Sequence, residues 1–211
     1  AEKAVKKAAA EKAKAAKKPS LIARNTIKNN MPEVLDWALK TPDGVRLSKS
    51  ERELKQSEEK KWGNRMIGQT NNGQWTTLLG EQLLFLVLEA MGENPRKPIK
   101  KGGLEPDWET DNFIYEVKTS NWYVSGTAGE KVLGTWIKYQ NVPELYVKPL
   151  RIVCIANQEY ELEHGKTQYF GNNVTPKTQQ VLDLARSWNT EYVRFSDLAK
   201  KVMYKSSPLW Q

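Results

Sequence analysis

Asp107, Glu116 and Lys118 are the residues whose types and spacing could do chemistry in this chain. Glu116 and Lys118 are two positions apart in a strand-like segment, so their side chains share one face about 7 Å apart. Asp107 closes the preceding strand-like segment and can meet Glu116 across a hairpin. Two carboxylates and an ammonium would then converge at one end of a sheet. The same alternation adds Ile114 to this face and assigns to the opposite face Phe113, Tyr115 and Val117.

Such a trio suits hydrolysis of a phosphodiester bond. Carboxylate oxygens are hard ligands for Mg²⁺, which keeps several of its waters. The ion polarises the scissile phosphate and lowers the pKa of a bound water, while Lys118 can orient that water or neutralise charge on the phosphate. The alternative is a surface salt bridge between Glu116 and Lys118, because acids and lysines are common on exposed strands.

The elements that must position these residues can be recognised from hydrophobic patterning. Residues 77 to 91 are apolar nearly all round, which is typical of a helix buried in a core, and Gly92 ends it. The stretch 119–148 is rich in Gly and aromatic residues and is predicted to be a long loop. The other predicted elements are strands at 104–108, 113–118, 150–156 and 191–195, and helices at 176–188 and 196–204, the last capped by Ser196. This order predicts a mixed α/β domain.

With Pro106 before Asp107, and Glu116-Val117-Lys118 after it, the chain resembles the PD-(D/E)XK nuclease superfamily, which contains most type II restriction endonucleases. The resemblance implies a restriction-endonuclease-like core, a mixed central sheet flanked by helices, from residue 77 to 204. It also implies that Asp107 and Glu116 bind Mg²⁺ and that Lys118 assists the attacking water. The family often adds an acid from the helix before the first core strand, and Glu81 occupies that place. An acid in the first turn of a helix is also favoured by the helix dipole without any metal.

Three regions follow from composition. Residues 1–18 contain only Ala, Lys, Glu and Val. Their seven Lys and two Glu give a net charge of +5, out of +8 for the whole chain. This segment is interpreted as a flexible arm that could touch a DNA backbone or serve no role. Residues 19–74 are predicted to form a helical extension, with a loop at 63–74. Residues 75–211 are predicted to form the nuclease core domain.

Polar residues beside the predicted site are candidates for DNA contacts. The stretch after Lys118 has small residues and lysines that could approach phosphates or base edges. An ordinary loop packed by its own aromatic residues is the alternative, and Trp108, Trp122 and Trp136 could stack on unpaired bases or simply pack. The candidate DNA-binding residues are Asn121, Ser125, Lys131 and Lys138, with Asn72 and Gln74 before the buried helix.

Several classes of protein are disfavoured by residues that the chain lacks. One histidine, His164, excludes two-His zinc motifs within the chain and is assigned to an exposed turn without a role. One cysteine, Cys154, excludes an internal disulfide and is expected to be a buried thiol. The fixed ending of a Walker A loop is missing, so no nucleotide cofactor is expected. No apolar run approaches the ~20 residues of a membrane span, and no signal-peptide block is seen, so an intracellular, cytoplasmic protein is expected.

These observations predict a Mg²⁺-dependent endonuclease acting on double-stranded DNA. The resemblance points to a sequence-specific type II restriction enzyme, as a homodimer, because two-fold symmetry suits cutting both strands of a palindrome. A repair, recombination or homing nuclease with the same core is an alternative. A non-catalytic basic DNA-binding module is another, supported by the net charge of +8. RNA as substrate stays open, because nothing in the sequence reads a 2′-hydroxyl.

Overall fold

The computed structural model describes residues 19–42, 44, 46–124 and 128–203, without the side chains of 128–131. The predicted arm at 1–18 lies outside these residues. In the described part, the strands form one sheet in the order β1-β2-β3-β4. β1 is antiparallel to β2, whereas β2, β3 and β4 run parallel. The strands are β1 (Trp108–Glu109), β2 (Ile114–Ser120), β3 (Leu150–Ala156) and β4 (Thr190–Arg194).

Helices cover both faces of this sheet, so the fold is mixed α/β, as the sequence predicts. None of the helices in the described ranges has the length and apolar character needed to cross a bilayer. The helices are α1 (19–29), α2 (Met31–Ala38), α3 (Lys49–Met66), α4 (Trp75–Ala90), α5 (Ala128–Lys138), α6 (Val142–Tyr146), α7 (Asn157–His164), α8 (Pro176–Ser187) and α9 (Phe195–Met203).

The alternation in β2 divides the interior into two main cores. Tyr115 and Val117 face a large core that also holds buried residues of α1, α2, α4 and α9. Ile114 faces the other side, where α5, α6 and α8 cover the sheet. The helices of the 19–66 region therefore share one apolar core with the sheet. Residues of this core that are fully buried include Ile27, Met31, Leu79, Leu83, Leu84 and Phe195.

Several predicted elements differ from the structure. Of the predicted strand 104–108, only Trp108 lies in a strand, β1, and Leu104 forms an isolated bridge with Lys101. The predicted loop 119–148 contains α5 and α6, because Val132, Trp136 and Tyr139 recur at helical spacing on one buried face. The predicted loop 63–74 is shorter, since α3 continues to Met66.

The region after β3 also differs. The sequence predicts an exposed turn at His164, but this residue is the last of α7, exposed and stacked on Tyr160 with ring centroids 4.5 Å apart. Ser196 is not a helix cap: it lies inside α9, and its backbone N–H donates to Glu159 Oε2 at 3.0 Å. Cys154 is a fully buried free thiol, as predicted.

Candidate active site

The hairpin of β1 and β2 brings Asp107 to Glu116. Trp108 pairs with Tyr115, so the antiparallel register continued by one residue sets Asp107 opposite Glu116. The Asp107 backbone N–H donates to the Tyr115 carbonyl at 3.0 Å. Its carboxylate Oδ2 accepts from the backbone N–H of Val117 at 2.7 Å. The carboxylate is therefore held against β2, beside the strand positions of Glu116 and Lys118.

Glu116 and Lys118 form a largely buried ion pair. Lys118 Nζ lies 2.6 Å from Glu116 Oε1, and Glu116 is only 5% exposed. Burial, and then the Asp107 carboxylate, raise the pKa of Glu116. Its second oxygen, Oε2, has no hydrogen-bond partner among the described residues. Burying a carboxylate oxygen without a hydrogen-bond partner costs free energy. This pair therefore differs from an exposed surface salt bridge.

Glu81 joins these acids from α4. It is the seventh residue of that helix rather than a residue of its first turn, because α4 begins at Trp75. The helix-dipole explanation of Glu81 therefore loses its basis, since that effect falls off within the first turn. Burial, and then the Asp107 carboxylate, raise the pKa of Glu81 to about 7. Lys97 opposes this rise, with its Nζ 3.3 Å from Glu81 Oε2.

Gly80 allows α4 to lie close to β2 at this point. A Cβ atom added to Gly80 would lie 1.8 Å from Thr119 Oγ1 and 3.2 Å from Val117 Cγ1. Any larger residue would therefore force the helix and the strand apart. The Trp108 indole N–H also donates to the Glu81 carbonyl at 2.8 Å, which ties the helix to the hairpin.

Tyr139, the residue after α5, lies near Glu116. Its ring is buried, and its hydroxyl accepts from Lys138 Nζ at 3.2 Å. Burial, and then the charge of Glu116, raise the pKa of Tyr139. Sequence reasoning missed both Tyr139 and Lys97. The signal for Tyr139 is its helical spacing from Val132 and Trp136 of α5, whereas nothing in the local sequence pairs Lys97 with Glu81.

Glu81, Asp107 and Glu116 form what we call the carboxylate cluster. Their oxygens are hard donors of the kind that Mg²⁺ takes, and Glu116 Oε2 is unused, so the donor chemistry fits a divalent cation. Within the described ranges, however, no three side chains of His, Cys, Asp and Glu are arranged to hold an ion. Lys97 and Lys118 each contact one carboxylate of the cluster. Cation binding therefore requires these side chains to rearrange.

The candidate DNA-contact residues lie in different surroundings. The side-chain oxygen of Asn72 accepts from the Gln74 backbone N–H at 2.7 Å, which shapes the turn before α4. Gln74 is exposed, and Asn121 is half-buried at the end of β2. Lys138 is exposed beside Tyr139. Two candidates lie outside the described features, namely Ser125 and the side chain of Lys131.

The three tryptophans near the site are packed within the protein. Trp108 is buried against Phe85, with ring centroids 5.0 Å apart. The Trp122 indole N–H donates to the Trp37 carbonyl at 2.9 Å. Trp136 is buried in the core beneath α5. These contacts favour packing over stacking on bases.

Comparisons of the chain with protein-family models, with curated proteins and with solved structures found no match. A function must therefore be argued from the carboxylate cluster and its surroundings.

Proposed function

We propose that this protein is a Mg²⁺-dependent endonuclease that hydrolyses double-stranded DNA, with a restriction-endonuclease-like core. The single observation that carries the proposal is the carboxylate cluster. Glu81 from a helix and Glu116 from a central strand both lie near Asp107 of the hairpin, and burial and then the Asp107 charge raise the pKa values of Glu81 and Glu116. Lys118 contacts Glu116. The folded protein keeps these acids together although ionising them costs free energy, which is typical of acids that serve a ligand.

In this proposal, Asp107 and Glu116 would hold the cation, and Glu81 would supply a further oxygen. Mg²⁺ supplies Lewis acidity toward the phosphate and lowers the pKa of a bound water. Lys118 lies beside Glu116 and is placed to orient the attacking water or to neutralise charge on the phosphate. Asp107 keeps its orientation through the backbone N–H of Val117. That bond is made by Oδ2, so the other oxygen would be the one offered to the cation.

The element order supports the family assignment within the proposal. The buried helix α4 precedes the hairpin, and helices lie between the later parallel strands. A sequence-specific type II enzyme acting as a homodimer suits this core, because a two-fold axis matches a palindromic site. No nucleotide cofactor is needed by this chemistry.

The test is cleavage of plasmid DNA by the purified protein with Mg²⁺ or with chelator. We expect discrete fragments only with Mg²⁺, and loss of cleavage in Glu116→Ala and Lys118→Ala with much of the DNA affinity retained. Asp111→Ala is the matched control, since Asp111 is an exposed acid of the same hairpin whose ion pair among the described residues is with Arg96. Cleavage by Glu116→Ala at the rate of the unaltered protein would refute the assignment. Binding without any cleavage would favour the non-catalytic DNA-binding module.

A further inference from the structure

A short basic loop connects α4 with β1. We call residues Arg96–Lys101 the basic loop. Lys100 and Lys101 are exposed on it, and Ile99 between Pro98 and Lys100 is 80% exposed, which is unusual for a large apolar side chain. Pro95 and Pro98 are buried, so the inner side of the loop is anchored while its tip points to solvent.

The backbone of the loop is fixed at both ends. Arg96 exchanges two hydrogen bonds of 2.8 Å with Glu109 of β1. Lys101 exchanges two bonds with Leu104, of 3.0 and 2.8 Å, around a tight turn. Both residues of that turn, Gly102 and Gly103, have positive φ values of 55° and 78°, which glycine tolerates without strain. The exposed side chains are therefore presented by an ordered backbone, so binding through them costs little additional ordering of the chain.

The basic loop borders the carboxylate cluster. Lys97 contacts Glu81, and its ammonium lies 4.4 Å from the centre of the Trp108 ring. On the far side, the Tyr146 hydroxyl donates to the Ile99 carbonyl at 2.8 Å. Lys101 Nζ donates to the Leu145 carbonyl at 3.1 Å. The loop thus runs from the acid of α4 to the end of α6.

The charges of the loop are only partly neutralised. Arg96 pairs with Glu109 and Asp111, and Lys97 pairs with Glu81. Lys100 and Lys101 form no ion pair within the part of the chain that the structure describes. Two cations and an exposed Ile therefore stand beside an acidic centre that by itself would repel a polyanion.

We propose that the basic loop binds the DNA backbone next to the cleaved bond, with Lys100 and Lys101 on phosphates and Ile99 against sugar edges. This inference rests on the proposed function. The lysines of the loop would supply the attraction for phosphates that the carboxylate cluster cannot supply. Lysines that neutralise phosphates release counterions, so the resulting affinity depends on salt.

The test measures affinity for a short DNA duplex across a series of salt concentrations, in chelator so that no cleavage occurs. The variant Lys100→Met/Lys101→Met removes both charges and keeps the apolar stems. Two phosphate contacts are worth a slope of about 1.8 in log affinity against log salt. Between about 50 and 200 mM salt, the affinity of the unaltered protein should therefore fall by a factor about ten times larger than the affinity of the variant.

The matched control is Lys166→Met/Lys177→Met, since Lys166 and Lys177 are exposed lysines of other segments, after α7 and in α8. It should leave the slope unchanged. Ile99→Ser should lower affinity several-fold at every salt concentration with no change of slope. Thermal unfolding of each variant should differ little from that of the unaltered protein, because the bond of Lys101 to the Leu145 carbonyl is exposed.

The loop and the nuclease can fail separately. If Lys100→Met/Lys101→Met keeps the original slope while the protein still cuts with Mg²⁺, the loop assignment is overturned and the nuclease stands. If the slope falls as expected but no cleavage occurs with Mg²⁺, the loop is supported as a DNA contact and the nuclease fails. Absence of any DNA binding overturns the loop assignment.

Discussion

Replacing Glu81 with Gln removes a carboxyl group whose ionisation the fold opposes. Burial and the neighbouring Asp107 raise the pKa of Glu81 from 4.5 to about 7. The side chain is 19% exposed, so solvent screens it only weakly. A rise of about 2.5 pH units corresponds to about 3 kcal/mol, at about 1.4 kcal/mol per pH unit.

The sign follows from linkage between proton binding and folding. Because the pKa of Glu81 is higher in the folded than in the unfolded protein, the folded state binds the proton more tightly. Its contribution to stability is fully present below about pH 4.5 and is lost as the pH rises through about 7. Glu81→Gln is neutral at every pH and nearly the same size. The variant should therefore be more stable than the unaltered protein at pH 8, by up to about 3 kcal/mol, and nearly equal to it at pH 4.

The assay is urea unfolding at pH steps from 4 to 8 in metal-free buffer, comparing the free energy of unfolding of the two proteins. Asp111→Asn is the control, because Asp111 is an exposed acid outside the cluster. Mg²⁺ should then stabilise the unaltered protein at pH 8 more than Glu81→Gln. A variant that is less stable at pH 8, or a difference that is the same at every pH, would contradict the placement of Glu81 among buried carboxylates.

Three further predictions concern neighbouring residues. Gly80→Ala should destabilise the fold by about 1–3 kcal/mol in urea unfolding and lower any cleavage, because its Cβ would lie 1.8 Å from the nearest side-chain atom. The control Gly134→Ala has open space around its Cβ and should be neutral or stabilising. Tyr139→Phe should move the acid limb of a cleavage pH profile to higher pH, because the Tyr139 hydroxyl lowers the pKa of Glu116. An acid limb at the same pH in both proteins would show that Tyr139 does not act on Glu116. Glu59→Ala should cost about 1–3 kcal/mol or more in thermal unfolding, since it leaves buried indole and backbone N–H donors without an acceptor, and an unchanged melting temperature would contradict this.

The sequence predicted the parts of the site that depend on local periodicity. Alternation in β2 assigned Ile114, Glu116 and Lys118 to one face, and the short spacing to Asp107 predicted a hairpin, because both follow from the two-residue repeat of a strand. The apolar run of α4 predicted a buried helix carrying Glu81. The mixed α/β class followed from the order of such segments.

The parts that the sequence did not predict depend on contacts between distant segments. Lys97 meets Glu81 only because the chain turns back after α4, and no local pattern encodes that pairing. The position of Tyr139 just after α5 was not predicted, because Gly129 and Gly134 made the segment of α5 resemble a loop. Burial of one face of α5 overrides the low helix propensity of glycine. The approach of α4 to β2 at Gly80 likewise requires knowledge of which two elements touch.

The ion pairs of Lys97 with Glu81 and of Lys118 with Glu116 give the acids resident counterions. We therefore expect the protein to reach its folded state without a dissolved cation and to keep its fold in chelator. Binding of the proposed cation would exchange one positive partner of the acids for another, so its rate should follow the movement of the Lys97 and Lys118 side chains rather than refolding of the backbone.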